Sequence, residues 1–161
     1  MTEHLELPVL CNCARIRRAS RVMTRYYDSV LAPSGLGINQ FTLLGYLHAR
    51  GPMPLNRLSD LLAMDRATIG HNVRPLERDG LLRLVQSSQD RRVKMAELTA
   101  KGLAKLDEAR PLWFDAQKNF ENVVGAEQAE TIRAAMDAIS DHRTNALAPL
   151  GVSGGSGATL G

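Results

Sequence analysis

Apolar residues in the first third of the chain recur at helical spacing. A stripe from Val9 to Val30 has an apolar or small residue every three or four positions, which predicts one face of a helix over residues 9–31. The following APSGLG contains a proline and two glycines, residues that disfavour continuation of a helix. A second helix is therefore predicted to begin afterwards and to cover about residues 39–50.

The pattern changes to short elements between residues 50 and 99. GPMP interrupts the chain before a short helix, LNRLSDLLA, and a third helix is predicted between Asp65, a suitable N-cap, and Gly80, a suitable C-terminal stop. The segments LLRLVQ and VKMAELT flank the polar loop SSQDRR and predict a β-hairpin. Two helices joined by a tight turn and followed by a hairpin are the layout of a winged helix-turn-helix, a module that binds DNA.

The C-terminal third is predicted to be helical again. Thr99 is expected to cap a long helix, and Gly125 separates it from a last helix whose Ala129, Ile132, Met136 and Ile139 are expected to point inward. The fold class is mainly α, an α+β winged helix flanked by long terminal helices. These helices carry more apolar surface than a small core covers, so we expect a homodimer. The expected domains are an N-terminal dimerisation helix (1–36), the DNA-binding domain (37–99), C-terminal dimerisation helices (100–148) and a flexible tail (149–161).

Positive charge is concentrated in the segment that carries the predicted winged helix. Residues 50–94 contain nine Lys/Arg and five Asp/Glu, a net charge of +4 in a chain whose formal net charge is +3. A basic patch confined to one module is the distribution that binding to phosphates requires. The charge therefore supports double-stranded DNA as a partner.

Several other classes find no support in the sequence. The four histidines are scattered, and no glycine-rich phosphate loop, HExxH motif or nucleophile elbow occurs; the closely spaced cysteines lack the second ligand pair of a zinc site. We therefore expect no enzyme, no cofactor and no metal. Neither a membrane span nor an export signal is evident, so we expect a cytoplasmic protein in a reducing compartment. A winged helix used only for protein contacts is an alternative to DNA binding.

Polar side chains mark the predicted recognition helix and the hairpin tip. Arginine can bond guanine edges and threonine can bond bases or phosphates, while a glycine permits close approach to the groove floor. An arginine at the hairpin tip is placed to enter a narrow minor groove, and an adjacent aspartate is expected to hold a neighbouring arginine by a charge-assisted bond. The candidate DNA-binding residues are Arg66, Thr68, Gly70, His71, Asn72, Arg74, Arg91 and Arg92, with Asp90 as the residue that positions the wing.

The segments RLSDLLAMDRATIGHNVRPLERDGLL and DRRVKMAELTAKG resemble the MarR family of bacterial transcriptional regulators. The resemblance covers residues 8 to about 147, and its most specific part is Asp90-Arg91-Arg92 followed by Leu98-Thr99 and Gly102. It implies a homodimer, usually a repressor, that binds a palindromic operator and releases it when a small molecule or an oxidant arrives. By the same resemblance, Arg92 corresponds to the minor-groove arginine, and Thr68, Gly70 and His71 to base-contacting positions.

Two kinds of signal are compatible with the sequence. The first is a small aromatic or amphipathic acid bound between the N-terminal helix and the DNA-binding head, with Arg15, Arg17, Tyr26 and His48 as candidate anchors. The second is oxidation by peroxides, because CARIRRASRVMTRYY resembles the first helix of the organic hydroperoxide resistance regulators. In that resemblance Cys13 is the reactive cysteine and Tyr27 its bonding tyrosine, although Arg17 replaces a second tyrosine of that branch. A buried cysteine that serves only for packing is the alternative.

Overall fold

The computed structural model describes residues 11–141 and confirms the predicted order of helices and strands. The tail at 149–161, the start of the first stripe at Val9 and the other residues before 11 or after 141 lie outside this range. A short 3-10 turn, Ala32–Ser34, follows the first helix. The elements are α1 (Asn12–Leu31), α2 (Ile38–Arg50), β1 (Met53–Pro54), α3 (Leu55–Leu62), α4 (Arg66–Arg78), β2 (Leu82–Gln86), β3 (Lys94–Leu98), α5 (Ala100–Val124) and α6 (Ala126–Ser140).

The predicted helix caps are confirmed. The Asp65 carboxylate accepts the backbone N–H of Thr68 at 2.8 Å, which satisfies one of the free donors at the start of α4. Gly80 follows the same helix with a φ of +71°, a conformation that favours glycine. The Thr99 hydroxyl accepts the backbone N–H of Gly102 at 3.0 Å and caps α5.

The sheet has three antiparallel strands in the order β1-β3-β2. The predicted hairpin pairs Leu82 with Leu98 at its base and Gln86 with Lys94 toward its tip. The sequence analysis missed β1, in which Met53 pairs with Ala96. This two-residue strand connects the segment before α3 to the hairpin. Strand β3 is therefore hydrogen-bonded on both sides, to β2 and to β1.

The core of the DNA-binding part forms around α2, α4 and the hairpin. Ile69, Val73 and Leu76 recur every three or four residues along α4 and are at most 2% exposed, as their spacing predicts. These three residues belong to one buried apolar cluster. The leucines that the other elements contribute to it include Leu31, Leu43, Leu44, Leu58, Leu82 and Leu106. The outward face of α4 is thereby fixed by burial of its inward face.

The start of α5 is hydrogen-bonded to the three residues that connect α4 to β2. The Thr99 hydroxyl lies 2.7 Å from the Gly80 carbonyl and 3.0 Å from the Leu81 carbonyl, and the Lys101 ammonium donates to the Asp79 carbonyl at 2.7 Å. Gly102 is buried against this joint: a Cβ there would lie 1.9 Å from the Leu81 carbonyl oxygen. Only glycine at position 102 allows α5 to lie this close to the Leu81 carbonyl.

The chain divides into two compact units, Met1–Asn119 and Phe120–Gly161. In the second unit, Ala129 is buried and Arg133 bridges Glu121 and Glu130 at 3.1 Å and 2.7 Å. The expectation that the other apolar residues of α6 point inward is wrong for a single chain. Their exposed fractions are 39–45%, because nothing within the described part of one chain covers them: Ile132, Met136 and Ile139.

The first unit also exposes apolar surface on α1. Of the predicted stripe, Tyr27 is buried, and so is Leu31, which directly follows the stripe. Ile16 is 40% exposed and Val22 48% exposed. None of the helices within residues 11–141 is both long and apolar enough to cross a bilayer.

Candidate nucleic-acid interface

The turn between α3 and α4 sets the start of the predicted recognition helix. Ala63 ends α3 in the left-handed region at φ +48°, and the Asp65 carboxylate then caps α4. Hydrogen bonds from the Thr68 backbone and hydroxyl to this carboxylate lower the pKa of Asp65, because they stabilise its ionised form. At neutral pH the cap is therefore an anion that accepts two hydrogen bonds.

A cleft of about 430 Å³ opens between α3, α4 and the part of the wing next to its tip. Arg66 reaches it from α4, and Arg92 and Lys94 reach it from the hairpin. Among the residues that line the cleft, all of which lie in the described part of the chain, there is no carboxylate. The convergence of three cations gives this surface the charge that a phosphate backbone requires. The remaining lining residues are Leu55, Asn56, Ser59, Ile69, Gly70 and Val93.

The wing tip is shaped by a local hydrogen bond. Arg91 and Arg92 are exposed, and the Asp90 carboxylate accepts the backbone N–H of Arg92 at 2.9 Å. The expected charge-assisted bond between Asp90 and an arginine side chain is thus replaced by a bond to the backbone. Asp90 holds the turn that presents Arg92, because an aspartate can bond the chain two residues ahead without extending across the loop.

The outward face of α4 carries the other candidate residues. His71 and Arg74 are exposed, whereas Thr68, Gly70 and Asn72 are half-buried. A Cβ added at Gly70 would meet no atom within 4 Å, so the protein itself does not require glycine there.

Asn72 is held in place by its own helix. Its side-chain amide donates to the Thr68 carbonyl at 2.9 Å. The cleft also includes residues that sequence reasoning did not assign to the interface: Asn56, Ser59 and Lys94. Asn56 and Ser59 lie one turn apart at the start of α3, and this spacing next to a helix N-terminus was the signal available in the sequence.

The candidate redox pair is not brought together within one chain. Cys13 is exposed on the first turn of α1, while Tyr27 is 8% exposed and its hydroxyl donates to Gln117. Tyr27 lies fourteen positions after Cys13 in the same helix, about 21 Å along the axis at roughly 1.5 Å per residue. Cys11, which was not assigned a role, is the N-cap of α1, and its sulfur accepts the backbone N–H of Ala14 at 3.4 Å.

The candidate effector anchors do not share a pocket. Arg15 and Arg17 lie exposed on the N-terminal half of α1, and His48 is exposed on α2. The Tyr26 hydroxyl accepts a hydrogen bond from Asn119 at 2.8 Å. The packing that assembles a pocket involves residues far apart in sequence, so helical spacing alone could not select its lining.

Two cavities instead flank Trp113 of α5. One, of about 300 Å³, is bounded by α1 and includes Tyr27 and Gln117. The other, of about 370 Å³, lies along α2 and combines aromatic rings with a cation. Phe41 stacks on Trp113 with ring centroids 5.9 Å apart, and the Arg50 guanidinium lies 5.3 Å from the centre of the Tyr46 ring. We call this second cavity the aromatic groove; it is lined by Phe41, Thr42, Gly45, Tyr46, Ala49, Arg50 and Trp113.

The chain is similar to known proteins of one family. A model of the MarR family matches residues 36–94. The HTH-type transcriptional regulator MhqR of Bacillus subtilis (strain 168) is 30% identical over 96 residues, which is 60% of this chain and 66% of MhqR. The chain thus spans just under two thirds of the length of that relative.

Solved structures match more of the chain than the DNA-binding domain (37–99). The transcriptional regulator MosR of M. tuberculosis, solved in complex with DNA, is 34% identical with a TM-score of 0.65, covering 78% of this chain and 98% of that chain. BpsR of Bordetella bronchiseptica is 22% identical with a TM-score of 0.75, covering 88% of this chain and 99% of that chain. At that lower identity the likeness concerns the fold alone.

Proposed function

The chain belongs to the MarR family of transcriptional regulators, and from this premise we propose that it is a homodimeric repressor of a palindromic operator rather than an enzyme. The observation that carries the proposal is the cleft where Arg66, Arg92 and Lys94 converge. A helix end and a hairpin that present cations on one surface suit simultaneous contact with a major groove and the neighbouring minor groove.

The proposed contacts follow from the position of each side chain. The first turns of α4 enter the major groove, where arginine bonds guanine and asparagine bonds adenine. Gly70 admits the helix backbone to the groove floor, and the exposed wing arginines contact the minor groove and phosphates, with Asp90 holding the turn. The residues proposed to contact DNA are Arg66, Thr68, Gly70, His71, Asn72, Arg74, Arg91 and Arg92.

A second copy of the chain is proposed to cover the exposed apolar residues of the terminal helices. Ile16 and Val22 on α1 are 40% and 48% exposed, and Ile132 on α6 is 41% exposed. Burying apolar surface of this kind releases about 25 cal/mol for each Å² removed from water. Dimerisation through residues 1–36 and 100–148 would present two heads to the two halves of a palindrome, while residues 37–99 form each head.

The experiment that tests DNA binding compares two arginines of the same hairpin. Arg92→Ala removes a cation of the cleft, whereas Arg83→Ala removes an equal charge that pairs with Glu97 at 2.7 Å. Fluorescence anisotropy with a labelled duplex from the DNA flanking the gene should show weaker binding and a shallower salt dependence only for Arg92→Ala. Equal salt slopes for the two variants and the unmodified protein would contradict the proposed interface. If the unmodified protein shows no salt-dependent binding to the duplex, the result favours a winged helix that contacts only other proteins.

The proposed effector is a small aromatic acid bound in the aromatic groove. The groove offers ring faces from Phe41, Tyr46 and Trp113 and a single guanidinium, that of Arg50. Aromatic pairs add about 0.5–1.5 kcal/mol beyond area burial, and an arginine bonds a carboxylate with two parallel N–H groups. In this proposal the residues of the aromatic groove take the place of the effector anchors expected from the sequence, which do not share a pocket.

Effector binding can be read from the protein itself, because Trp113 is the one tryptophan in the sequence. Titration with benzoate should change its fluorescence and release the duplex, while the uncharged benzyl alcohol should do so only at much higher concentration. Arg50→Gln should abolish the difference between the two compounds. Lys118→Gln, an equal change of charge on α5 outside the groove lining, serves as the control. Equal responses to benzoate in the unmodified protein and Arg50→Gln would refute the role of Arg50.

A redox response at Cys13 is a second candidate, favoured by one observation: both cysteines near the start of α1 are exposed. A thiolate there can attack an organic hydroperoxide, breaking the O–O bond to give a sulfenate and an alcohol. Cys13→Ser should bind the duplex normally and fail to release it on addition of cumene hydroperoxide, whereas Cys11→Ser should still respond. Release by the Cys13→Ser variant would exclude Cys13 as the sensor.

A further inference from the structure

We propose that Thr68 reads the exocyclic amino group of an adenine or a cytosine as a hydrogen-bond acceptor, and that Asp65 positions its hydroxyl for this role. The inference rests on the proposed DNA-binding function and adds the polarity of one base contact. It follows from hydrogen bonds at the start of α4, the end of the helix that enters the major groove in this class of module.

Both oxygens of the Asp65 carboxylate are engaged by Thr68. Oδ1 accepts the Thr68 backbone N–H at 2.8 Å, and Oδ2 lies 3.1 Å from the Thr68 hydroxyl oxygen. An ionised carboxylate can only accept hydrogen bonds. The hydroxyl must therefore be the donor in the second bond, and its single proton is committed to the protein.

The electrostatics of the cap keep this polarity at neutral pH. The same two hydrogen bonds lower the pKa of Asp65, so the carboxylate remains ionised and cannot offer a proton to the hydroxyl. The Thr68 backbone is also held from the other side, since its carbonyl accepts the Asn72 amide at 2.9 Å. The hydroxyl thus has a fixed place and a fixed direction of donation.

What remains on Thr68 is an acceptor. A hydroxyl has one proton and two acceptor lone pairs, and with the proton used, only the lone pairs can face DNA. In the major groove, guanine N7 and O6 and thymine O4 are acceptors, as are phosphate oxygens, whereas adenine N6 and cytosine N4 are donors. The arrangement therefore favours one amino-bearing base in each half-site and disfavours a phosphate contact.

Asp65→Asn tests this inference because it changes polarity while keeping the cap. Asparagine is as good an N-cap as aspartate: its amide oxygen can accept the Thr68 N–H, and its NH₂ group then faces the hydroxyl as a donor. The Thr68 proton becomes free to point at DNA. Selection from a randomised duplex pool with the full chain would compare the unmodified protein, Asp65→Asn, Thr68→Val and Thr68→Ser.

We expect the unmodified protein and Thr68→Ser to prefer adenine or cytosine at one position of each half-site, by about fivefold, the contribution of one neutral hydrogen bond. Thr68→Val should lose this preference at that position alone. Asp65→Asn should shift it toward guanine or thymine, and its removal of a negative charge should strengthen binding to all duplexes alike.

Two outcomes would overturn the inference without touching the proposed function. One is an identical base preference at every position for Asp65→Asn and the unmodified protein. The other is a uniform loss of affinity for all sequences in Thr68→Val, which indicates a phosphate contact. An unmodified protein that enriches no sequence and binds duplexes without salt dependence contradicts the proposed function itself.

Discussion

Replacing Gly102 by alanine should destabilise the joint between the head and α5. The added Cβ would lie 1.9 Å from the Leu81 carbonyl oxygen and 2.8 Å from a methyl carbon of Leu98. Carbon–oxygen contacts are ordinarily about 3.3 Å or longer, so the chain must move apart by about 1.4 Å. The Leu81 carbonyl cannot yield independently, because it also accepts the Thr99 N–H at 3.2 Å.

The magnitude follows from three effects. Overpacking of this kind costs about 1–3 kcal/mol, and loss of the hydrogen bond from the Thr99 N–H to the Leu81 carbonyl costs about 1 kcal/mol. Alanine regains about 1 kcal/mol of helix propensity over glycine. The net loss is about 2 kcal/mol, which for a chain of this size lowers Tm by roughly 4–8 °C.

Thermal unfolding followed by circular dichroism measures this loss, with all variants at one protein concentration because dimers unfold in a concentration-dependent way. Gly45→Ala is the matched control: it also lies within a helix, but its Cβ would meet no atom within 4 Å. It should raise Tm by about 2–4 °C, because alanine gains about 1 kcal/mol of helix propensity over glycine. A Gly102→Ala variant whose Tm equals that of the unmodified protein would refute the close approach.

Three further predictions concern the DNA-binding domain. Gly70→Ala should raise Tm by about 2–4 °C, since its Cβ meets nothing within 4 Å, yet should weaken duplex binding; unchanged affinity would show that the helix does not approach the groove floor there. Asp90→Ala should bind a duplex about fivefold more weakly than Asp90→Asn, because both lose the charge but only alanine loses the acceptor for the Arg92 N–H; equal affinities in anisotropy titrations would contradict this role. The folded-state pKa of Asp65 is lowered, so its contribution to stability is present above the unfolded pKa of about 3.9 and lost as pH falls through the folded pKa. The stability difference between the unmodified protein and Asp65→Ala, from urea unfolding, should thus be constant near neutral pH and shrink below about pH 4; a difference that persists in acid would contradict the cap.

The sequence predicted those parts of the fold that local interactions determine. The caps at Asp65 and Thr99 and the stop at Gly80 involve residues within a few positions of each other, so their chemistry is legible in the chain. β1 was missed because a two-residue strand has no periodicity of its own. It exists through pairing with Met95 and Ala96, about forty residues away.

The candidate site could likewise be predicted only where its residues lie close together in the sequence. Of the predicted DNA-binding residues, Arg66, Gly70 and Arg92 line one cleft, because the topology places two continuous stretches, α4 and the wing, side by side. The partner of Asp90 was wrong because a short side chain reaches its own turn before it reaches a guanidinium. The lining of the aromatic groove escaped prediction because it combines α2 with Trp113, some sixty residues later.

The joint at Thr99 also has a mechanical consequence. The hydroxyl and backbone N–H of Thr99 and the ammonium of Lys101 hold the start of α5 to the residues that directly follow α4, namely Asp79, Gly80 and Leu81. Trp113 lies on the same helix, about three and a half turns further along at 3.6 residues per turn. A tilt of the N-terminal part of α5 would therefore also shift the chain directly after the recognition helix. Pro111, which removes one backbone hydrogen bond of α5 just before Trp113, decides how much of a displacement beside Trp113 reaches that joint.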